Sequence, residues 1–264
     1  MKRDETDRSD LIAFQDLPFL TRDELRPVRL LLEHLKPDLL QREAGITSTI
    51  VVFGSARILE PAEAKAQLET AQRSNGDVEL AKRRVELSKY YDIAREFSRI
   101  VSQACQIAGR CDYVIVTGGG PGIMEAANRG AQDVGAKSVG LNIVLPHEQT
   151  PNRFITRGLG FTFHYFAMRK MHFMLRAKAL VVLPGGFGTI DELFEALTLV
   201  QTKKIEHLPV ILVGREYWEK VFNLQYLLDE GMIAPEDLRL FRYAETAEEA
   251  WRHIVDYYAK HGPA

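Results

Sequence analysis

Two stretches decide the fold: YVIVTGGGPGIMEAANRGA at 113–131 and ALVVLPGGFGTIDELFEALTLVQ at 179–201. Each opens on a β-branched apolar run, passes through clustered glycines and closes on a helical pattern. Similar apolar runs stand at 49–53 (TIVVF), 138–145 (SVGLNIVL) and 209–213 (PVILV), separated by longer helical stretches. Strands with so little polar alternation are buried on both faces, so the order predicts an α/β chain, a doubly wound parallel sheet with helices on both faces. In such sheets ligands bind beyond the carboxyl ends of the strands, where both glycine clusters fall.

Around this centre the chain divides unevenly. Residues 1–46 carry charge, Pro18, Pro27 and Pro37, and helix-spaced leucines (Leu30, Leu31, Leu32, Leu35), which read as an N-terminal helical extension of one or two short amphipathic helices. Residues 47–264 read as a single domain with a helical insertion at about 60–110, rich in Ala, Glu, Lys, Arg and Gln. The insertion reads as two helices. The second, Asp77 to Ala108, would span ~48 Å at 1.5 Å per residue, so a kink or a contact with another subunit is expected. Beyond the last strong strand lie an amphipathic segment at 215–229, a short strand at 238–243 and a final helix with Thr246 as its N-cap.

Of the 264 residues, 46% are hydrophobic and 27% charged, with a formal charge of −2 and a pI of about 6.4. No basic excess is available for nucleic-acid phosphates or an anionic membrane surface. Cys105 and Cys111 lack a second pair, so they read as buried thiols rather than a zinc cluster or a disulfide framework. The amino terminus is charged throughout, and no apolar run approaches the roughly 18 residues that span a bilayer. A cytoplasmic protein without metal or cofactor is expected.

The first cluster is Gly118, Gly119, Gly120, Pro121 and Gly122; the second is Pro184, Gly185, Gly186, Phe187, Gly188 and Thr189. Glycine admits an anion close to backbone amides, and the helix that follows adds unpaired N–H groups and about half a positive charge. Either loop can therefore hold a phosphate, or simply turn a strand into a helix. Thr189 fits both a phosphate donor and an N-cap. The second loop lacks the lysine of a Walker motif, and Ile123 occupies the place of the last glycine in GxGxxG. P-loop ATP hydrolysis and a dehydrogenase are both poor fits.

Glu192 and Glu195 share a helix face one turn beyond the second loop, with Asp191 turned away by about 100°. Glu192 suits ribose hydroxyls near a bound phosphate, or merely the helix dipole. Upstream, YFAMRKMHFML at 165–175 is apolar nearly all round and reads as a buried helix, yet it carries Arg169, Lys170 and His172. A buried guanidinium needs a partner, either a substrate anion or a core carboxylate such as Glu192. Lys170 also reads as a snorkelling surface residue and His172 as a packed one, while Phe166 or Met168 could touch an aromatic base.

The run RKMHFMLRAKALVVLPGGFGTIDELFEALTLVQTKKI, with FGSAR at 53–57 and GGGPGIMEAANRGA at 118–131, resembles the LOG family over roughly 49–215. Its members are cytokinin riboside 5′-monophosphate phosphoribohydrolases and bacterial relatives, many once labelled putative lysine decarboxylases. Short plant-type members read Met-His-x-Arg-Lys; with Phe166, Ala167 and Met168 before Arg169, this chain is similar to the longer bacterial branch. The resemblance implies a Rossmann-like fold and a homodimer or larger homo-oligomer that completes the site. It also implies hydrolysis of the N-glycosidic bond of a nucleoside 5′-monophosphate, a cytokinin riboside monophosphate or AMP, to free base and ribose 5-phosphate. Arg169 and Glu192 fall on the family's catalytic pair. Gly185, Gly186, Gly188 and Thr189 fall on its phosphate loop, Gly118, Gly119 and Gly120 on its other glycine motif, and Lys170 is taken as a further substrate-binding residue.

A second reading is a carrier that holds a nucleotide or a phosphate-bearing cofactor, such as the molybdenum cofactor, without turning it over. Lysine decarboxylation is the weakest reading, because no lysine stands with the supporting acid that pyridoxal chemistry requires.

Overall fold

The described residues of the computed structural model are 8–74, 76–107, 109–145 and 150–262. The first seven residues and Ala108, the end of the long helix expected from sequence, lie outside them. The chain runs α1 (Leu17–Leu20), α2 (Arg26–Glu43), β1 (Thr49–Phe53), α3 (Pro61–Arg73), α4 (Val78–Leu87), α5 (Lys89–Cys105), β2 (Val114–Thr117), α6 (Ile123–Gln132), β3 (Ser138–Ile143) and β4 (Gly160–Phe163). It continues α7 (Phe166–Met174), β5 (Ala177–Val182), α8 (Phe187–Gln201), β6 (Val210–Val213), α9 (Arg215–Val221), α10 (Leu224–Asp229), β7 (Phe241–Ala244) and α11 (Ala247–His261).

All seven strands are parallel, in the order β4-β3-β2-β1-β5-β6-β7. The chain builds outward from β1 to β4, returns through α7, and builds outward again from β5. The order therefore reverses between β1 and β5, and the loops after those two strands diverge to leave a crevice. Ile50, Val52, Ile115, Ala179 and Val181 face one side, under α5, α6 and α11; Val51, Phe53, Val116, Leu180 and Val182 face the other, under α7, α8 and α9. The doubly wound, Rossmann-like sheet with an N-terminal helical extension is thus present.

Three elements refine the expected plan. β4 was not anticipated: it is four residues at the sheet's edge with alternating exposure, too short for its pattern to stand out. The expected kink in the long helix of the insertion is a division at Ser88, whose backbone N–H donates to Arg84 O and Val85 O and whose hydroxyl donates to Val85 O at 2.7 Å. The break lets α5 lay Tyr91, Ala94, Phe97 and Val101 on the sheet while α4, which buries only Ala81, packs on α3. Third, α7 is buried only at His172 and Phe173; Phe166, Met171 and Leu175 are exposed. At the carboxyl end the short strand lies at 241–244, and Thr246 caps α11 by accepting from Glu249 N–H at 3.2 Å.

The leader shows an inversion. On α2 the inward positions are Leu30, Glu33, His34, Pro37, Asp38 and Gln41, while Leu31, Leu32, Leu35, Leu39 and Leu40 are exposed. Apart from Leu30 and Pro37, its contact with the protein is made by polar side chains. Both cysteines are free and half-buried, and burial pushes the Cys105 thiol up to about 11. No helix of the described residues is long and apolar enough to cross a membrane.

α5 packs directly on α6, where Gly130 leaves no room for a Cβ against the carbonyl of Arg95. Gly130→Ala should therefore destabilise by about 1–3 kcal/mol. A chemical denaturation midpoint equal to the parent's would contradict this packing.

Candidate active site

The crevice at the sheet's reversal opens into a cavity of about 630 Å³. Its walls come from the loop after β1 (Gly54 to Arg57), from Gly118 after β2, from Phe166 and Arg169 of α7, and from residues 185–192. That volume lies within the range of small-ligand sites, roughly 300–1,000 Å³. A larger hollow of about 810 Å³ lies beside β7, lined by Arg215, which pairs with Glu219, and by Arg242, and neither glycine loop borders it.

The second glycine loop forms the cavity's anion-attracting end. Gly186 caps α8 without a side-chain hydrogen bond, so the N–H groups of Phe187 and Gly188 have no carbonyl beneath them in the helix. Thr189 is buried and lines the cavity beside them. Tyr217 of α9 holds the loop from behind, its hydroxyl donating to Gly185 O at 2.7 Å.

Arg169 reaches into the same cavity from α7. Its Nε donates to Leu141 O at 2.8 Å, and its guanidinium lies 5.1 Å from the centre of the Phe173 ring. A Cβ on Gly118 would stand 2.6 Å from its Nη2, so the guanidinium occupies the space that this glycine leaves. Burial lowers its pKa and the charge of Glu192 opposes that, yet arginine stays protonated.

Glu192 is 8% exposed, lines the cavity one turn into α8, and forms no ion pair or side-chain hydrogen bond among the described residues. Arg169 likewise has no ion pair there. The core-carboxylate alternative for Arg169 is therefore not what is found: two opposite charges face one cavity, unpaired. Burial pushes the Glu192 carboxyl up to about 7, against the pull of Lys170 and Arg169 and with the push of Glu195 and Asp191.

Lys170 needs correction as a substrate-binding residue. It lies outside the cavity wall and bridges Asp191 Oδ2 at 2.9 Å and Glu195 Oε2 at 2.8 Å. Burial alone would lower its pKa, but those carboxylates outweigh burial and hold it above the ordinary lysine value. Its charge is consumed in tying α7 to α8, which also makes it a poor candidate for a pyridoxal Schiff base.

The first glycine loop divides between two tasks. Gly118 lines the cavity, whereas Gly119 and Gly120 turn inward: Asn152 donates from its backbone to Gly119 O at 2.8 Å and from its side chain to Gly120 O at 3.0 Å. All of FGSAR, which carried no assigned role in the sequence, lines the site: Phe53 at the end of β1, and Gly54, Ser55, Ala56 and Arg57 beyond it. Ser55 Oγ accepts from Arg57 N–H at 3.0 Å, and Arg57 brings an exposed cation without an ion pair among the described residues. Their signal was available, since they follow the strand where the sheet reverses. Among the described residues no group of three or more His, Cys, Asp or Glu is gathered where it could hold a metal ion.

Comparison with known proteins shows what the chain resembles. Residues 124–254 match the profile of a family described as "Possible lysine decarboxylase". Curated relatives include the rice proteins "Probable cytokinin riboside 5′-monophosphate phosphoribohydrolase LOGL5", 29% identical over 58% of this chain and 62% of that one, and its LOGL3 counterpart, 28% over 61% and 76%. The chain is similar to the LOG family in these relatives. An Arabidopsis thaliana member, "Cytokinin riboside 5′-monophosphate phosphoribohydrolase LOG2", is 25% identical over 65% of this chain and 78% of its own. The chain thus spans less than two thirds of the first rice relative. Among solved structures, the molybdenum cofactor binding protein of Rippkaea orientalis is 18% identical over 80% of this chain and 97% of its own, with a TM-score of 0.49. The Moco carrier protein of Chlamydomonas reinhardtii is 20% identical over 81% and 99%, at 0.48. Likeness at that level says nothing about function.

The raised pKa of Glu192 favours its neutral form in the folded protein. That stability is present below the ordinary glutamate value and lost as pH rises through about 7. Glu192→Gln, which never ionises, should gain unfolding free energy relative to the parent as pH rises across that interval. A difference that stays flat with pH would remove the carboxyl from a desolvated setting.

Proposed function

We propose that this chain is a cytoplasmic nucleoside 5′-monophosphate phosphoribohydrolase, taking up water and releasing free base and ribose 5-phosphate. What carries the reading is the unpaired pair: a buried carboxylate and a guanidinium lining one cavity, with an uncapped helix start at its end. As an N-glycosidic bond breaks, the sugar gains oxocarbenium character and the base takes the electron pair. Negative charge is needed beside C1′ and a donor near the base.

Glu192, on the ribose side, would stabilise that positive charge and orient the attacking water. Arg169 would hold the leaving base or clamp the nucleotide, with the base's proton coming from water, since arginine is a poor acid at neutral pH. Gly185, Gly186, Gly188 and Thr189 would grip the 5′-phosphate, with Arg57 as a further cation. Phosphate binding energy would then orient the sugar, so adenosine should react far more slowly than AMP. Equal turnover of the two, followed by chromatography of released adenine, would refute the anchor. Bound AMP with no base released at all would make the chain a carrier instead.

Glu192→Gln should lower kcat by about 10²- to 10⁴-fold while AMP still binds. Because ionised Glu192 is the working form, kcat/KM should rise with pH through about 7. Lys170→Met removes a charge that pulls Glu192 down, and leaves Asp191 and Glu195 pushing it up, so that acid limb should move to higher pH. A limb that stayed in place would detach it from Glu192. Self-association belongs to the same proposal, with light scattering as its measurement and a monomer as the contrary result.

A further inference from the structure

We propose that Glu33, in the amino-terminal helix α2, is a positioning residue for Arg169, and that α2 is a strap setting the arginine helix over the cavity. The inference deepens the phosphoribohydrolase reading, on which its kinetic arm rests. Glu33 lies outside the cavity wall, so any action it has on the reaction passes through another residue.

The argument starts at the link between β4 and α7, which consists of His164 and Tyr165. Both of their backbone N–H groups are taken by one side chain: His164 N donates to Glu33 Oε1 at 2.8 Å and Tyr165 N to Glu33 Oε2 at 3.2 Å. α7 has no side-chain cap of its own. A carboxylate at a helix start is also favoured by the helix dipole. Tyr165 O then accepts from Arg169 N at 3.2 Å, so the residue that Glu33 fixes begins the turn that ends at Arg169.

Two further contacts run along the same pair of helices. The His34 ring lies 5.4 Å from that of His172, which packs in turn on Phe163 at 5.3 Å. Beyond the carboxyl end of α7, Arg176 pairs with Asp38, which also meets Arg42 at 2.9 Å. α2 therefore grips α7 at its start, middle and end, and every gripping residue lies on the inward polar stripe. Nine residues of α7 lie between these grips. They carry the Arg169 side chain to Leu141 O and into the space over Gly118.

A shift of about 1 Å in a catalytic group can cost on the order of 100-fold in rate. If Glu33 only stabilised the fold, its loss would lower the folded fraction and leave the folded molecules fully active. If it positions Arg169, the folded molecules themselves should be slow.

The experiment uses the full chain and two readouts. The first is AMP hydrolysis by Glu33→Ala, corrected for folded fraction: kcat should fall about 10- to 100-fold while KM changes little. The second needs no activity. The Arg169 Nε–H resonance, assigned by its absence from Arg169→Lys, should exchange with solvent faster in Glu33→Ala than in the parent. Parental kcat together with parental exchange would overturn the proposal, and so would faster exchange at parental kcat. If the parent releases base from no nucleoside monophosphate, the functional reading fails and the exchange measurement alone decides for or against Glu33. If Glu33→Ala does not fold, Glu33→Gln, which keeps one acceptor oxygen, carries both measurements, with an intermediate effect expected and no effect counting against the idea.

Discussion

A guanidinium sunk into a cavity without an acid beside it must be held by something neutral, and here the carbonyl of Leu141 does so. That one bond, with the Phe173 ring beneath and the bare backbone of Gly118 alongside, fixes Arg169 while leaving its charge unspent. Had a core carboxylate taken the role, the cavity would be electrically quiet. Instead Arg169 and Glu192 face the same space without an ion pair, and under the proposed function a phosphate ester with a polarisable glycosidic bond would offer each a counterpart. Leaving buried charges unpaired costs stability, so the surrounding framework has to supply the difference.

Much of that framework is the joint between α7 and α8. Arg169 and Lys170 are neighbours in sequence with opposite assignments: the arginine turns inward with its charge free, and the lysine turns outward with its charge shared between Asp191 and Glu195. Asp191 immediately precedes Glu192, so the same ion pairs set the spacing of the two reactive side chains. They also tune Glu192. The lysine draws its pKa down, its own acids draw it up, and burial decides the balance near neutrality.

The fold, and the two charged residues that line the cavity, could be read from the chain because they rest on local signals. Apolar runs such as TIVVF are buried on both faces, and glycine clusters mark where strands become helices. Glu192 stands one turn beyond such a cluster. Side-chain direction was the harder matter. Lys170 and Arg169 are adjacent and both basic, and only the packing of α8 tells which faces the cavity. Gly119 and Gly120 look like Gly118 on paper, but the hydrogen bonds of Asn152 turn them inward. β4 escaped notice because four residues at an edge give too little alternation to read. A kink in the insertion's long helix was legible from its length, but its place at Ser88 was not, because a serine within a helical pattern has no fixed meaning until the sheet beneath α5 is known.

The leader yields a lesson about redesign. Hydropathy assigns the leucines of α2 to the interior and would tempt an engineer to replace its polar residues with aliphatic ones for a firmer core. In this molecule the reverse holds, since Glu33, His34 and Asp38 form the seam and the leucines look out. Such a greasier helix would have two competing faces and no reason to choose between them. Transplanting the leader between homologues would likewise succeed only where the acceptor keeps the matching backbone and arginine, not wherever the leucines align.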